Sequence, residues 1–329
     1  MSVIVPIYNT AEYVEECIRS ILSQSYRDIE VLLVNDGSID GSGEICGRYV
    51  ERPNVTYIEQ VNLGATAARR KGVDLAKGEW IMFVDSDDLL LDGAIDKMMS
   101  LAADTDLVLA GHTGNMDLIS HLPDSIDPLS YLRLIYARDI YVAPFGRLFR
   151  RSLFNEKTLV FPRYFTLGED YLMNLQIAVD NNRSIKVYHG PVYERRANPM
   201  STMHTHSLDF DYCQHICGLA DTIAENSMGV IPLPLRIKQR LVFFYLTLPD
   251  IHFQSDAHHP FVLEIKRLMN AVGMWRLIDR CLLNVSSSFA VKVVWYLRSV
   301  LLRISHPALM RKDVKRVRRW LFARSGNWN

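Results

Sequence analysis

The first hundred residues alternate between short apolar runs and amphipathic stretches, a rhythm that leaves few folds open. Ser2–Ile7, Ile29–Val34, Val55–Ile58 and Trp80–Val84 read as strands, being rich in β-branched and aromatic residues and too short for buried helices. Ala11–Ser23, Gly43–Val50 and Ala65–Ala76, lying between them, read as helices. Such repetition predicts an α/β fold with a mostly parallel sheet and right-handed crossovers. Asp92–Ala102 continues the pattern as a helix and Leu107–Ala110 as a strand.

Ligands of such sheets bind in the crevice outside the carboxyl ends of the strands. Four polar segments stand there: Val5-Pro6-Ile7-Tyr8-Asn9, Val34-Asn35-Asp36-Gly37-Ser38, Asn62-Leu63-Gly64 and Asp85-Ser86-Asp87-Asp88. Asp36, on a glycine-containing turn, could accept hydrogen bonds from a base or ribose, although alone it reads equally well as a turn former. Asn62 and Gly64 let a ligand approach the backbone closely, since glycine has no Cβ in the way. Arg69 opens the next helix, where it is either a surface charge or a partner for a diphosphate. Two carboxylates one residue apart at a strand mouth suit a hard divalent cation, whereas an isolated pair would be a solvated turn. The convergence of all four segments on one rim is the physical case for a site.

The motifs Ile4-Val5-Pro6-Ile7-Tyr8-Asn9, Asn35-Asp36-Gly37-Ser38-x-Asp40-Gly41-Ser42, Asn62-x-Gly64-x-x-x-Ala68-Arg69, Gly78-Glu79 and Phe83-Val84-Asp85-Ser86-Asp87-Asp88 come in an order that resembles a known family. They are similar to the nucleotide-binding half of inverting family 2 glycosyltransferases, of the kind that build bacterial surface polysaccharides. Arg70 departs from the pattern, which commonly has asparagine there. The resemblance implies a GT-A fold, a Rossmann-like α/β sheet flanked by helices, here with a helical C-terminal extension. It implies that Pro6, Tyr8 and Asp36 hold the base and ribose of a nucleoside diphosphate sugar, most often UDP. Asn9, Asn62, Gly64 and Ser86 would belong to the same donor pocket, with Arg69 near the nucleotide. Asp87 would be the main ligand of Mn²⁺ or Mg²⁺, and Asp85 would face the ribose or sugar or touch the metal through water. A bound cation would stabilise the charge that develops on the leaving diphosphate.

Two later segments complete the resemblance. Gly168-Glu169-Asp170 precedes a helix expected over Tyr171–Val179 and follows a strand-like Leu159–Phe161. By composition alone its acids favour a helix N-terminus. By resemblance Asp170 is the base that deprotonates the acceptor hydroxyl, with Glu169 beside it on the acceptor side raising its basicity. Tyr193-Glu194-Arg195-Arg196, with Ser201, His204 and His206, follows the strand-like Ile185–Tyr188 and is similar to a region that closes over the donor diphosphate. Either Arg195 or Arg196 would neutralise phosphate. Either His204 or His206 would complete the metal shell, though two loop histidines are otherwise commonly unliganded.

The remaining features bound the setting. With 329 residues, 49% of them hydrophobic, the chain can bury a large core. We expect a catalytic domain over 1–205 and a helical region over 206–329, with helices at Leu208–Glu225, Leu235–Leu246, Phe261–Leu283, Phe289–Leu302 and Pro307–Ala323. Five cysteines without a C-x-x-C pair point to reduced thiols. No signal-peptide pattern or bilayer-length apolar run is apparent. His258-His259 reads as a surface loop and Leu241–Leu248 as core packing. The net charge is zero, yet residues 290–329 hold ten Lys/Arg against Asp313 alone, about +9. Amphipathic helices of that composition bind anionic membrane surfaces, and no nucleic-acid recognition motif accompanies the charge. These signs place the protein in the cytoplasm, peripheral at the inner face of the cell membrane, with a glycan or lipid-linked acceptor.

The reading is thus an inverting transferase moving a sugar from a UDP-type donor to an acceptor hydroxyl. A nucleotidyltransferase would need a Gly-rich, Lys-containing signature near the first strand, and a dinucleotide-dependent dehydrogenase G-x-G-x-x-G; both are absent. The rival from another class is a catalytically silent sugar-nucleotide binder or scaffold.

Overall fold

The computed structural model describes residues 1–113, 116, 119–161, 167–199, 209–247 and 258–272. These fall into two units, one within Met1–His206 and Gly218–Ile231, the other within Ser207–Cys217 and Pro232–Asn329. The expected helices Phe289–Leu302 and Pro307–Ala323, His204, His206 and Cys281 lie outside the described residues.

The first unit is built on β1 (Ser2–Ile7), β2 (Glu30–Asn35), β3 (Val55–Glu59) and β4 (Trp80–Phe83). They are joined by α1 (Val14–Leu22), α2 (Ser42–Gly47) and α3 (Ala65–Leu75). Every residue of β1 is buried because the strand is covered on both faces and paired in parallel with β2 and β4. Val14, Cys17, Ile18 and Ile21 form the buried stripe of α1, at the spacing of one helix face. On the sheet's other face α3 comes in close: a Cβ added at Gly72 would lie 2.4 Å from Ile4 Cγ2.

The sheet continues through β5 (Leu89–Leu90), β6 (Leu107–His112), β7 (Ser125–Ile126), β8 (Arg147–Arg150) and β9 (Ile185–Glu194) in the order β3-β2-β1-β4-β8-β6-β9-β5, with β7 on β9. The β3-β2-β1-β4 part is parallel, while β8 runs antiparallel between β4 and β6, so the whole sheet is mixed. Chain order reverses between β1 and β4, which opens a crevice at their carboxyl ends. Pro6 helps it open. Val84 N–H bonds to Ile4 O at 3.0 Å, and the next rung of a parallel ladder would need an N–H at position 6, which proline lacks.

Helices α4 (Ala94–Met99), α5 (Pro128–Tyr136) and α6 (Glu169–Asp180) flank this sheet. The start of α5 is encoded by Asp127, whose side chain accepts from Ser130 N–H at 2.9 Å, and by proline in the first turn. One expected element fails: Leu159–Phe161 is not a strand. Leu159 has φ 57° and sits in a turn, where its buried side chain is held at 4% exposure while Val160 points out at 55%.

In the second unit the first residues of α7 (Phe210–Met228) accompany α8 (Leu233–Thr247) and α9 (Pro260–Val272). Phe210 stacks on Phe244, and Phe243, Phe244 and Phe261 are buried, so the described part of the Leu241–Leu248 stripe is mostly core, with Leu246 exposed. Cys213 and Cys217 are buried. His259 bonds to Asp211 at 3.1 Å in a partly exposed loop. No described helix is long and apolar enough to cross a membrane.

Candidate active site

The strand ends converge as expected, but they divide into groups that face the crevice and groups that hold it in shape. Asp36, at the end of β2, is 2% exposed and spends its carboxylate on its own surroundings. Its Oδ1 accepts from Leu63 N–H and Gln60 Nε2, each at 2.8 Å, and Oδ2 accepts from Gly64 N–H at 2.7 Å. That clamp presents Gly64 at φ 95°, ψ 160°, a conformation open in practice only to glycine, at the start of α3. Asn62 lies in the same loop, its backbone N 2.9 Å from where a Cβ on Gly37 would sit. Asn9 is likewise a loop former. It has φ 50°, its Oδ1 accepts from Ile39 N–H at 2.9 Å, and its own N–H meets Ser38 Oγ at 3.1 Å. Beside it the Tyr8 ring is 50% exposed at the end of β1.

Arg69, 5% exposed, lies inside the site and not on its surface. Its Nη2 donates to Asp85 Oδ1 at 3.0 Å and its Nη1 to Asp170 Oδ1 at 2.9 Å. One guanidinium therefore joins the carboxyl end of β4 to the first turn of α6, the Arg69–Asp170 contact spanning 101 residues of sequence. Next to it Arg70 reaches outward, donating from Nη1 to Asn155 O at 2.7 Å and Thr158 O at 3.2 Å. The residue that departs from the family pattern thus pins the turn that runs into Leu159, where a strand was expected.

The acidic cluster is held from both sides. Thr10 donates to Ser86 Oγ at 2.9 Å, and Asp85 N–H donates to the Tyr193 hydroxyl at 2.9 Å. Pairing of β5 with the end of β9 brings the residues after β9 onto the cluster. There Asn198 Nδ2 donates to Asp87 Oδ2 at 2.9 Å, and Arg196 N–H to Asp88 Oδ1 at 2.8 Å. The Arg196 side chain is fully committed, to Asp87 O at 2.7 Å, Tyr13 O at 2.9 Å and Glu16 at 2.5 Å. Arg195 is exposed over the Phe145 ring, 5.7 Å from its centroid, and Phe145 stacks on Tyr193 at 4.4 Å. Of the two adjacent arginines, Arg195 faces open space and Arg196 is a brace.

Carboxylates so crowded and enclosed resist ionisation. Burial, then Asp85, pushes Asp87 above the usual carboxylate range, and the same causes raise Asp88 to about 7. Glu169 is raised by burial and by its neighbour Asp170. Asp170 is raised by burial and by Asp85, while Arg69 and, more weakly, Arg147 oppose the shift. Asp170 Oδ2 has no hydrogen-bond partner among the described residues, so one oxygen remains for a ligand.

Sequence reading missed Gln60, Tyr13 and Asn198 as members of the site, and it named Tyr193 only as part of the segment after β9, with no role of its own. Tyr193 is a buried aromatic near the end of β9, beside the acids.

The sequence pattern described as Glycosyl transferase family 2 matches residues 2–156. Glycosyltransferase GlyG of Streptococcus pneumoniae serotype 4 is 32% identical over 205 residues, 55% of this chain and 68% of its own length. The uncharacterized glycosyltransferase EpsJ of Bacillus subtilis is 33% identical over 216 residues, and the chain covers 62% of it. In fold, the crystal structure of Staphylococcus aureus TarS 1–349 in complex with UDP-GlcNAc matches with TM-score 0.64 at 20% identity, over 90% of both chains. The mannosyltransferase PcManGT from Pyrobaculum calidifontis, in complex with GDP-Man and Mn²⁺, matches with TM-score 0.52 at 20% identity, over 91% of this chain and 85% of the other. The mixed sheet, with its carboxylates at the point of reversal, is that of a GT-A glycosyltransferase. The chain belongs to glycosyltransferase family 2.

Proposed function

We propose that the protein transfers a sugar, with inversion, from a nucleoside diphosphate sugar of the UDP type to a hydroxyl of a glycan or lipid-linked acceptor. The observation that carries this is the bridge from Asp85 through Arg69 to Asp170, which sets a donor-side carboxylate and a candidate base on one cation. In a single displacement the acceptor hydroxyl gives its proton to Asp170 Oδ2 as its oxygen bonds to the anomeric carbon. The bond from that carbon to the diphosphate breaks on the opposite face, and its electron pair leaves with the nucleoside diphosphate. A raised pKa suits Asp170 to accept a proton near neutrality. The exposed Tyr8 ring offers a surface for the base, and Arg195 a cation for the diphosphate.

A divalent cation fits the residues present. Among the described residues no cluster of three or more protein ligands forms, but Asp87 spends only Oδ2 on a side chain and is kept basic by burial. One or two carboxylates with phosphate oxygens and water are the usual shell of Mg²⁺ or Mn²⁺. When bound there, the ion would supply Lewis-acid stabilisation of the leaving diphosphate. The complexes of TarS with UDP-GlcNAc and of PcManGT with GDP-Man and Mn²⁺ support this reading. The basic segment 290–329 supports an acceptor borne at an anionic membrane on the cytoplasmic side.

The test is nucleotide release from UDP-, GDP- and dTDP-sugars, with Mn²⁺ or EDTA, by wild type, Asp87→Ala and Asp170→Asn. Metal-dependent release of one nucleotide, lost in both variants, is expected. Binding without release under any acceptor would instead favour the silent scaffold.

A further inference from the structure

The geometry points to Arg69 as a positioning residue for Asp170, one that ties the base to the donor side of the cleft. This rests on the reading of Asp170 as base. Arg69 is 5% exposed, with its two terminal nitrogens shared between Asp85 and Asp170. A planar guanidinium serving two carboxylates fixes their separation and orientation, which the point charge of a lysine cannot do. Because Arg69 takes Oδ1 of Asp170, Oδ2 is the oxygen presented to an acceptor; Arg69 thereby selects the atom that receives the proton.

The other charges facing Asp170 cannot take its place. They are Asp85, Glu169 and Arg147, and Arg147 spends its guanidinium on the carbonyls of Ala143, Tyr141 and Phe145. Arg69 is itself set in register from the nucleotide end. Its helix begins at Gly64, whose N–H is held by Asp36 at 2.7 Å. A continuous line of contacts thus runs from the end of β2, through the first turns of α3, to the base.

The experiment follows UDP release from UDP-GlcNAc with Mn²⁺, using the full chain as wild type, Arg69→Lys, Arg69→Met and Asp170→Asn, with thermal melts to establish folding. We expect kcat to fall about 10-fold in Arg69→Lys and about 100-fold in Arg69→Met, with the donor KM within about 3-fold, the pattern of a lost transition-state arrangement. An unchanged kcat in Arg69→Lys, or a raised donor KM with kcat preserved, overturns the proposal and makes Arg69 a donor ligand. Full activity in Asp170→Asn would fail the base reading separately. Should wild type release no UDP, a crystal structure of Arg69→Lys decides: Asp170 displaced from its wild-type position supports the proposal, and Asp170 unmoved overturns it.

Discussion

One oxygen of the Asp36 carboxylate holds Gly64 N–H at 2.7 Å while the other holds Leu63 N–H at 2.8 Å. The acid therefore shapes the loop that starts α3. In Asp36→Asn an amide N–H₂ must face one of these donors, leaving a buried group unmatched at a cost of about 1–3 kcal/mol. The urea midpoint should fall with the slope unchanged, and UDP binding should weaken as the loop shifts.

Gly64→Ala probes the same loop through its backbone. At φ 95°, ψ 160° a Cβ is strained wherever it points, and the substitution should cost about 1–3 kcal/mol. Differential scanning calorimetry would read this as a lowered Tm. A melt matching wild type would mean that the loop relaxes freely, contrary to its anchorage by Asp36.

Arg195 and Arg196 should separate cleanly. Arg196→Ala removes hydrogen bonds to two carbonyls and an ion pair from a side chain only 16% exposed, and should cost about 2–3 kcal/mol in chemical denaturation. Arg195→Ala should stay within about 0.5 kcal/mol of wild type in stability, as exposed sites do. If Arg195 meets the diphosphate, that variant should bind UDP at least about 10-fold more weakly by calorimetry, with Arg196→Lys less affected.

Asp88 imposes a pH dependence on the ligand-free protein. It is 4% exposed, and burial, then the neighbouring Asp85 charge, raises its pKa from the ordinary 3.8 to about 7. The folded state holds this proton longer than the unfolded chain, so stability falls as pH rises from about 4 to 7 and levels off above. The slope from this group approaches about 1.4 kcal/mol per pH unit at its steepest. Asp88→Asn keeps an acceptor for Arg196 N–H and should flatten the curve over that window. An equally steep curve in the variant would assign the dependence to other groups.

The parallel strands were legible because burial on both faces writes continuous apolar runs, as in β1 and β4, and because each is followed by polar residues at its carboxyl end. The insertion of β8 between β4 and β6 was not, since its pairing depends on contacts far apart in sequence and its run Arg147–Arg150 is charged at both ends. Asp36, Asn9 and Arg69 were recognisable as important, but a sequence does not state whether a carboxylate will face a ligand or a neighbouring N–H. The pair Arg195-Arg196 carries no internal signal of which one points outward; that follows from where β9 ends against the acidic cluster. Leu159–Phe161 looked like a strand from its apolar residues, yet Arg70 binds the carbonyls of Asn155 and Thr158 just before it and fixes a turn.

That last attachment is blind to side chains. Arg70 grips Asn155 and Thr158 only through their main-chain oxygens, which every amino acid supplies. The turn that presents those oxygens is nonetheless built by side chains, since Thr158 Oγ1 accepts from Asn155 N–H and Asn155 Oδ1 from Lys157 N–H, each at 2.8 Å, so its sequence is constrained from within and not by Arg70. A residue of the donor half, Arg70 on α3, still sets the point from which the chain leaves this turn toward the helix that carries Asp170.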